Sequence, residues 1–221
     1  MAHPLWPLFD LSIRSARLEL RLPTDVELAE LAAVARAGIH PPDEMPFAAA
    51  WSTLPSPRFE RNFAAHHWAM RGSWSPDEWT LNLGTFLDGR AIGSQGIGAR
   101  RFGTFRTVHT GSWLGQPFQG QGYGKEMRAA VLAFAFDHLG AVLARSDAFL
   151  TNPRSAAISR SLGYVEDGLD EAAPEGTPVT TQRFRMTAEM WRARPRDQIE
   201  VTGLDACRDL FGLPDEPAAS A

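Results

Sequence analysis

The stretch from Thr107 to Lys125, TVHTGSWLGQPFQGQGYGK, constrains the fold of this chain more than any other. An apolar, strand-like run ends in a turn carrying Gly120, Gly122 and Gly124, and an amphipathic helix starts directly behind it. Residues without a Cβ let the backbone curl tightly and approach a ligand. The helix N-terminus adds unpaired N–H groups and the positive end of a dipole. Strand, turn and helix in this order imply an α/β architecture with a site for a phosphate or diphosphate at the turn. An ordinary glycine-rich strand-to-helix turn is the alternative. Two phosphate-binding patterns fail here. A Walker A loop needs a glycine where Gln119 stands and a Ser or Thr where Glu126 follows Lys125. A dinucleotide fingerprint needs G-x-G-x-x-G, one residue longer than the G-x-G-x-G present, although Asp147 lies where a ribose-binding acid could sit.

A third pattern, Gln/Arg-x-x-Gly-x-Gly/Ala, is met by Gln119, Gly122 and Gly124. About thirty residues on, an apolar run (141–150) is followed by Asn152-Pro153-Arg154-Ser155 and a helical stretch closing at Leu162-Gly163-Tyr164. Local chemistry explains part of this: Asn152 is a good N-cap, Pro153 suits the first helical position and Gly163 suits the C′ position.

Periodicity orders the rest. Strands are expected at 17–22, 79–87, 91–100, 107–116, 141–150 and 180–186, with a further start at Tyr164-Val165. Asp88-Gly89 marks a hairpin turn. Helices are expected at 26–37, 58–71 and 125–139, and a tail element at 188–192. Residues 38–57, rich in proline and aromatics, read as an irregular loop with room for a short helix, and the final DEPAASA as a frayed end. The net charge of −4 gives no basic field for nucleic acid. The lone Cys207 cannot build an internal disulfide framework, fits a reducing cytoplasm and reads as a spare thiol in a peripheral segment. No apolar run reaches membrane-spanning length, the N-terminus lacks a signal-peptide pattern, and six histidines without HExxH spacing argue against a metal.

The two motifs together resemble the GNAT superfamily of acyl-CoA-dependent N-acyltransferases. FQGQG, the preceding Gly-x-Trp-Leu and the downstream Asn-x-x-Ser are similar to its RimJ/RimL branch of ribosomal-protein N-acetyltransferases. The resemblance implies an α/β (α+β) GNAT fold: a mixed, largely antiparallel sheet flanked by helices, with a V-shaped splay between the two central strands. It covers residues 14–192 as one domain, leaving 1–13 as a lead and 193–221 as a tail. It also implies acetyl-CoA or succinyl-CoA as acyl donor, no metal, and an amine acceptor, either a small molecule or a protein N-terminus. A non-catalytic module that senses acyl-CoA and a nucleotide-binding enzyme of another class are the rival readings. A homo-oligomer stays open.

Site expectations follow from the same resemblance. The coenzyme is expected on Trp113, Leu114, Gln119, Gly120, Gln121, Gly122, Tyr123, Gly124, Lys125, Asn152 and Ser155, with the amides of 119–125 on the diphosphate. Backbone N–H groups near 112–115 are expected to face the thioester carbonyl. The tyrosine that many relatives use as thiolate proton donor is replaced by Ser159; the RimJ/RimL resemblance implies that a serine three residues after the asparagine, here Ser155, takes that role. His109 is the candidate base, with Asp147, Asp43, Glu44 or water as alternatives. His40, Met45, Phe47 and Trp51 would face Trp113 to form the acceptor wall. Arg183, with Arg185, would meet a succinyl carboxylate.

Overall fold

The computed structural model describes residues 3–213; the expected frayed DEPAASA end lies outside them. The elements are β1 (Ser12–Arg14), β2 (Leu18–Arg21), α1 (Asp25–Arg36), α2 (Arg58–Gly72), β3 (Glu78–Leu87), β4 (Arg90–Arg100), α3 (Phe102–Phe105), β5 (Thr107–Leu114), α4 (Tyr123–Ala133), β6 (Leu143–Phe149), α5 (Pro153–Ser161), β7 (Val165–Ala172), β8 (Val179–Thr187), α6 (Ala188–Arg192) and β9 (Glu200–Thr202). Among the described residues they build one nine-stranded sheet in the order β7-β8-β6-β5-β4-β3-β2-β1-β9. Every pairing is antiparallel except that of β5 with β6.

Local chemistry explains most element ends. The Thr24 side chain accepts from the Glu27 N–H while Glu27 accepts from the Thr24 N–H, a reciprocal cap that starts α1. The bidentate Arg21 guanidinium and the Thr24 bonds hold the Glu27 carboxyl down to about 2. Asp88 and Gly89 both take positive φ (48° and 76°), as the two-residue turn between β3 and β4 requires. α5 starts on Asn152, whose Oδ1 accepts from the Ser155 N–H. It ends with Gly163 N–H on Arg160 O and Tyr164 N–H on Ser159 O, a Schellman closure on a glycine at φ +87°.

Two apolar layers cover the sheet. α1 presents Leu28, Leu31, Ala32 and Ala35 at helical spacing and joins Phe59 and Phe63 of α2 against Phe86 and Ala91. On the other face α4 buries Met127, Ala130, Val131 and Ala133 against Ile97, Val108 and Ala144. Some boundaries differ from expectation. β5 stops at Leu114 because Gln116–Phe118 form a tight turn, and α4 begins at Tyr123 and passes into a π turn over Phe134–His138. β1 and β9 were not anticipated and pair with each other. Residues after 193 therefore reach the sheet, and Leu204, Cys207, Phe211 and Leu213 are buried. Cys207 is core rather than peripheral: burial, then the nearby Asp209, Asp10 and Asp205 charges, push its thiol up to about 12.

The topology opens one gap. β5 pairs with β4 along its length, from His109↔Gly98 to Leu114↔Gly93. Its parallel pairing with β6 covers only Thr107↔Leu143, Val108↔Ala144 and His109↔Arg145. Beyond those three rungs the two central strands diverge, which is the V-shaped splay expected of this fold. Alternate backbone groups of a strand point toward opposite neighbours. Past His109 those facing β6 have lost their partner strand.

Candidate functional site

The cradle at the end of β5 is built from backbone. Gln119 turns its side chain inward, donating to Ile39 O at 2.8 Å and Leu114 O at 2.9 Å, and so pins the loop to the strand. Gly120 and Gly122 adopt φ of +74° and +86°, which brings the chain round onto the first turn of α4. Gln119 N–H is taken by Gln116 O and Lys125 N–H by Gly122 O. Among the described residues, the N–H groups of Gly120, Gln121, Gly122, Tyr123 and Gly124 have no acceptor. The expected run of amides from 119 to 125 is thus narrowed to five, at the N-terminus of an eleven-residue helix. Five free donors on a positive dipole end fit a diphosphate.

A cation that sequence reading missed sits at this cradle. Arg17, between β1 and β2, donates from Nε to Glu126 Oε2 at 2.7 Å and from Nη1 to Gln121 O at 3.3 Å, and its guanidinium lies 4.4 Å from the Tyr123 ring centroid. Glu126 also accepts from the Arg17 N–H and the Ser15 hydroxyl. Nothing local marks Arg17, which lies over one hundred residues upstream; a carboxylate in the first turn of α4 was the one available sign. The Lys125 ammonium is exposed and has no partner among the described residues. Leu114 is buried on the α4 side, and a methyl placed on Gly124 would come within 3.0 Å of Ile158 Cδ1 and 3.6 Å of Leu114 Cδ1, so α4 packs against α5 and β5 through that glycine.

The floor of the splay, on the same side of the sheet, holds Arg128 of α4. Its side chain is buried, with residue exposure of 3 %. Nη2 donates to Ser112 Oγ of β5 at 3.0 Å; Nη1 donates to Ser146 Oγ of β6 at 2.9 Å and Ser159 Oγ of α5 at 3.3 Å. Nε has no partner, nor does the buried Gln95 Oε1; the buried Tyr164 hydroxyl lies toward Thr110 without hydrogen-bond geometry. Burial disfavours the charged form of Arg128 and, in the same way, raises the Tyr164 phenol. On α5, the Ser155 hydroxyl and the Asn152 amide nitrogen have no partner among the described residues, and both residues are half-buried.

The opposite mouth of the splay is polar. His109, Arg145 and Asp147 share this outer face, with Arg183 and Arg185 of β8 opposite Asp147 and Arg145. His109 is open to solvent at its edge. Desolvation by the flanking strands, then the Arg145 charge, lowers its pKa, partly offset by Asp147. Arg183, expected to meet an acyl carboxylate, instead donates to Asp167 O at 3.0 and 3.1 Å and Asp170 Oδ2 at 3.5 Å, tying β8 to β7. Arg185 pairs with Asp167 at 3.3 Å. Arg145 is the cation on this face without a partner among the described residues.

The expected acceptor wall comes together only in part. Trp51 stacks among Phe47, Phe59, Phe63 and Trp113, with ring centroids 5.3–6.2 Å away. Trp113 therefore belongs to the α1–α2 layer rather than to the cradle. His40 locks its own loop: Nδ1 donates to Pro41 O and Nε2 accepts from the Ser52 hydroxyl, both at 2.8 Å. Met45 is half-buried, and Asp43 and Glu44 are exposed in the same loop.

Comparison with known proteins gives consistent results. A family model described as an acetyltransferase (GNAT) domain matches residues 17–165. RimJ of Mycobacterium smegmatis, solved with a CoA disulfide, superposes with a TM-score of 0.66 at 18% identity over 86% of this chain and 92% of that one. An acetyltransferase (GNAT family) from Bacillus anthracis gives 0.64 at 14% identity, covering 80% and 99%. The ribosomal-protein alpha-N-acetyltransferase RimL, solved with coenzyme A, gives 0.62 at 14% identity, covering 78% and 95%. At these identities the structural likeness is one of fold.

Proposed function

The chain belongs to the acetyltransferase (GNAT) domain family, and on that premise we propose that it moves an acyl group from acyl-CoA to a primary amine by direct attack. The observation that carries this reading is the row of five acceptor-less amides, Gly120 to Gly124, opening beside the splayed strands. The acyl donor is acetyl-CoA or succinyl-CoA, and the acceptor a protein N-terminus or a small amine. Such a donor places the activity in the cytoplasm.

Acyl-CoA supplies an activated carbonyl and a thiolate leaving group. The five amides, with Arg17 beside them, hold the diphosphate end. Backbone N–H groups of β5 beyond His109, unpaired by β6, stabilise negative charge on the acyl oxygen. The amine arrives from the outer face, where His109, with its lowered pKa, is neutral at pH 7 and can accept the proton it sheds. Ser155, on the first turn of α5 with a free hydroxyl, gives a proton to the departing sulfur. The new C–N bond replaces the C–S bond, and no acyl-enzyme is formed.

Mass spectrometry of the coenzyme ester that co-purifies with the protein reads cofactor class and acyl group together. Single-turnover thiol release against a panel of amines and N-terminal peptides then identifies the acceptor. A protein that binds CoA esters yet releases thiol with none of them is a sensor, and the enzyme reading falls.

A further inference from the structure

Arg128 has no evident structural need for its charge. Its neighbours on the buried face of α4 are Met127, Ala130 and Val131, and an apolar residue would pack there at lower cost than a desolvated cation. No carboxylate lies within ion-pair distance of it among the described residues. Buried charges are ordinarily paired; this one is held by three serine hydroxyls, from β5, β6 and α5, while its Nε donor stays idle. The residue thus places positive charge, met only at longer range by Asp147 and the Tyr164 phenol, behind the point where β5 and β6 part. Of the three hydroxyls, Ser146 and Ser159 are buried, whereas Ser112 is half-exposed on the diverging strand.

A hydroxyl that accepts a hydrogen bond from a guanidinium keeps its own O–H to donate, and the polarisation strengthens that donation. We propose that Ser112, polarised by Arg128 behind it, donates a hydrogen bond to the sulfur of the departing coenzyme and stabilises it as a thiolate. This inference rests on the acyl-CoA reading above. As the amine nitrogen bonds to the acyl carbon, the C–S electron pair leaves on sulfur. Ser112 and Arg128 meet that charge as it forms without transferring a proton; the amine's proton departs through His109 to solvent, and Ser155 relays a solvent proton to the sulfur as it leaves. Ser112 touches the reacting atom, and Arg128 is a positioning residue acting through it. The arrangement stands where α5 carries Ser159 in place of a phenol, and its fixed cation acts alongside Ser155.

The experiment is calorimetric titration of the whole protein with CoA and with desulfo-CoA, which lacks the thiol, between pH 7 and 10. For the wild type, CoA gains affinity over desulfo-CoA as pH rises through the thiol range, by about tenfold for each unit by which the bound thiol pKa is lowered from that of free CoA. Arg128→Met and Ser112→Ala lose that gain while holding desulfo-CoA within about threefold of wild type, and Arg128→Lys restores part of it. Parallel pH profiles for the two ligands on the wild-type protein overturn the proposal, whether or not the variants fold. So does an Arg128→Met protein that keeps the gain. Succinyl-CoA weakened by Arg128→Met far more than CoA overturns it as well, by assigning the charge to an acyl carboxylate. If neither CoA nor desulfo-CoA binds, the acyl-CoA reading itself fails, and the inference with it.

Discussion

Gly122→Glu tests the cradle most directly. Gly122 sits at φ +86° and ψ −10° as the residue preceding α4. A methyl there would lie 3.4 Å from Arg17 Nη2, ordinary contact with the movable end of a side chain. The structural penalty is therefore mainly the left-handed backbone, about 1–2 kcal/mol, or roughly 2–8 °C in Tm for a chain of this size. The binding penalty is larger. Obstructing two of the five amides removes two charge-assisted hydrogen bonds, ~3 kcal/mol together. A carboxylate ~5 Å from a phosphate adds up to ~3 kcal/mol of repulsion at an effective dielectric near 20. CoA affinity should fall ~10²–10⁴-fold. Gly122→Asn, which tolerates the same backbone without charge, should lose about tenfold to a hundredfold. Calorimetry with CoA, and with ATP and NAD as controls, reads the effect, alongside a melting curve to verify folding. A folded Gly122→Glu protein that binds CoA within about threefold of wild type would refute the assignment.

Other consequences can be checked independently. Ser155→Ala should lower kcat by about tenfold, less than a typical general acid contributes because a thiolate leaves readily, with CoA affinity nearly unchanged; equal kcat would remove Ser155 from the mechanism. His67 is buried and its pKa lowered to about 4, chiefly by desolvation, then by His66 and Arg71. Because the unfolded chain takes up this proton more readily, the stability His67 contributes is present above about pH 6.5 and lost as pH falls toward 4, about 2 kcal/mol by pH 5. Denaturant titrations of His67→Met should show a flatter dependence in that window, and an unchanged slope would contradict the assignment. Cys207, with its thiol raised to about 12 and fully buried, should resist thiol reagents at pH 8 until denaturant is added; prompt labelling of the native protein would show that residues 204–213 open readily.

Much of this molecule is legible along the chain because the responsible interactions span only a few residues. The caps of α1 and α5, the Asp88-Gly89 turn and the glycine closing α5 each involve partners within four or five positions. The motif pair around Gly122 and Asn152 belongs to the same class, and it was sufficient to indicate the family, the α/β layering and the splay. Where sequence reading went astray, the deciding neighbour came from elsewhere. Arg183 lies on the anticipated strand, but a bulge in β7 brings Asp167 O within reach of its guanidinium. Gln119 matches its motif, yet its side chain serves the loop and its N–H is already taken by Gln116.

Spacing and residue type alone determined that a strand should run into a glycine turn and a helix able to hold a diphosphate. Only the tertiary structure decided which amides stay free, that Arg17 reaches Glu126 from the far end of the chain, that β9 closes on β1, and that Arg128 meets three hydroxyls. The physical reason is range. Backbone conformation and capping depend on neighbours in sequence, whereas a buried cation's partners are set by strand register and helix placement, which the whole core fixes at once.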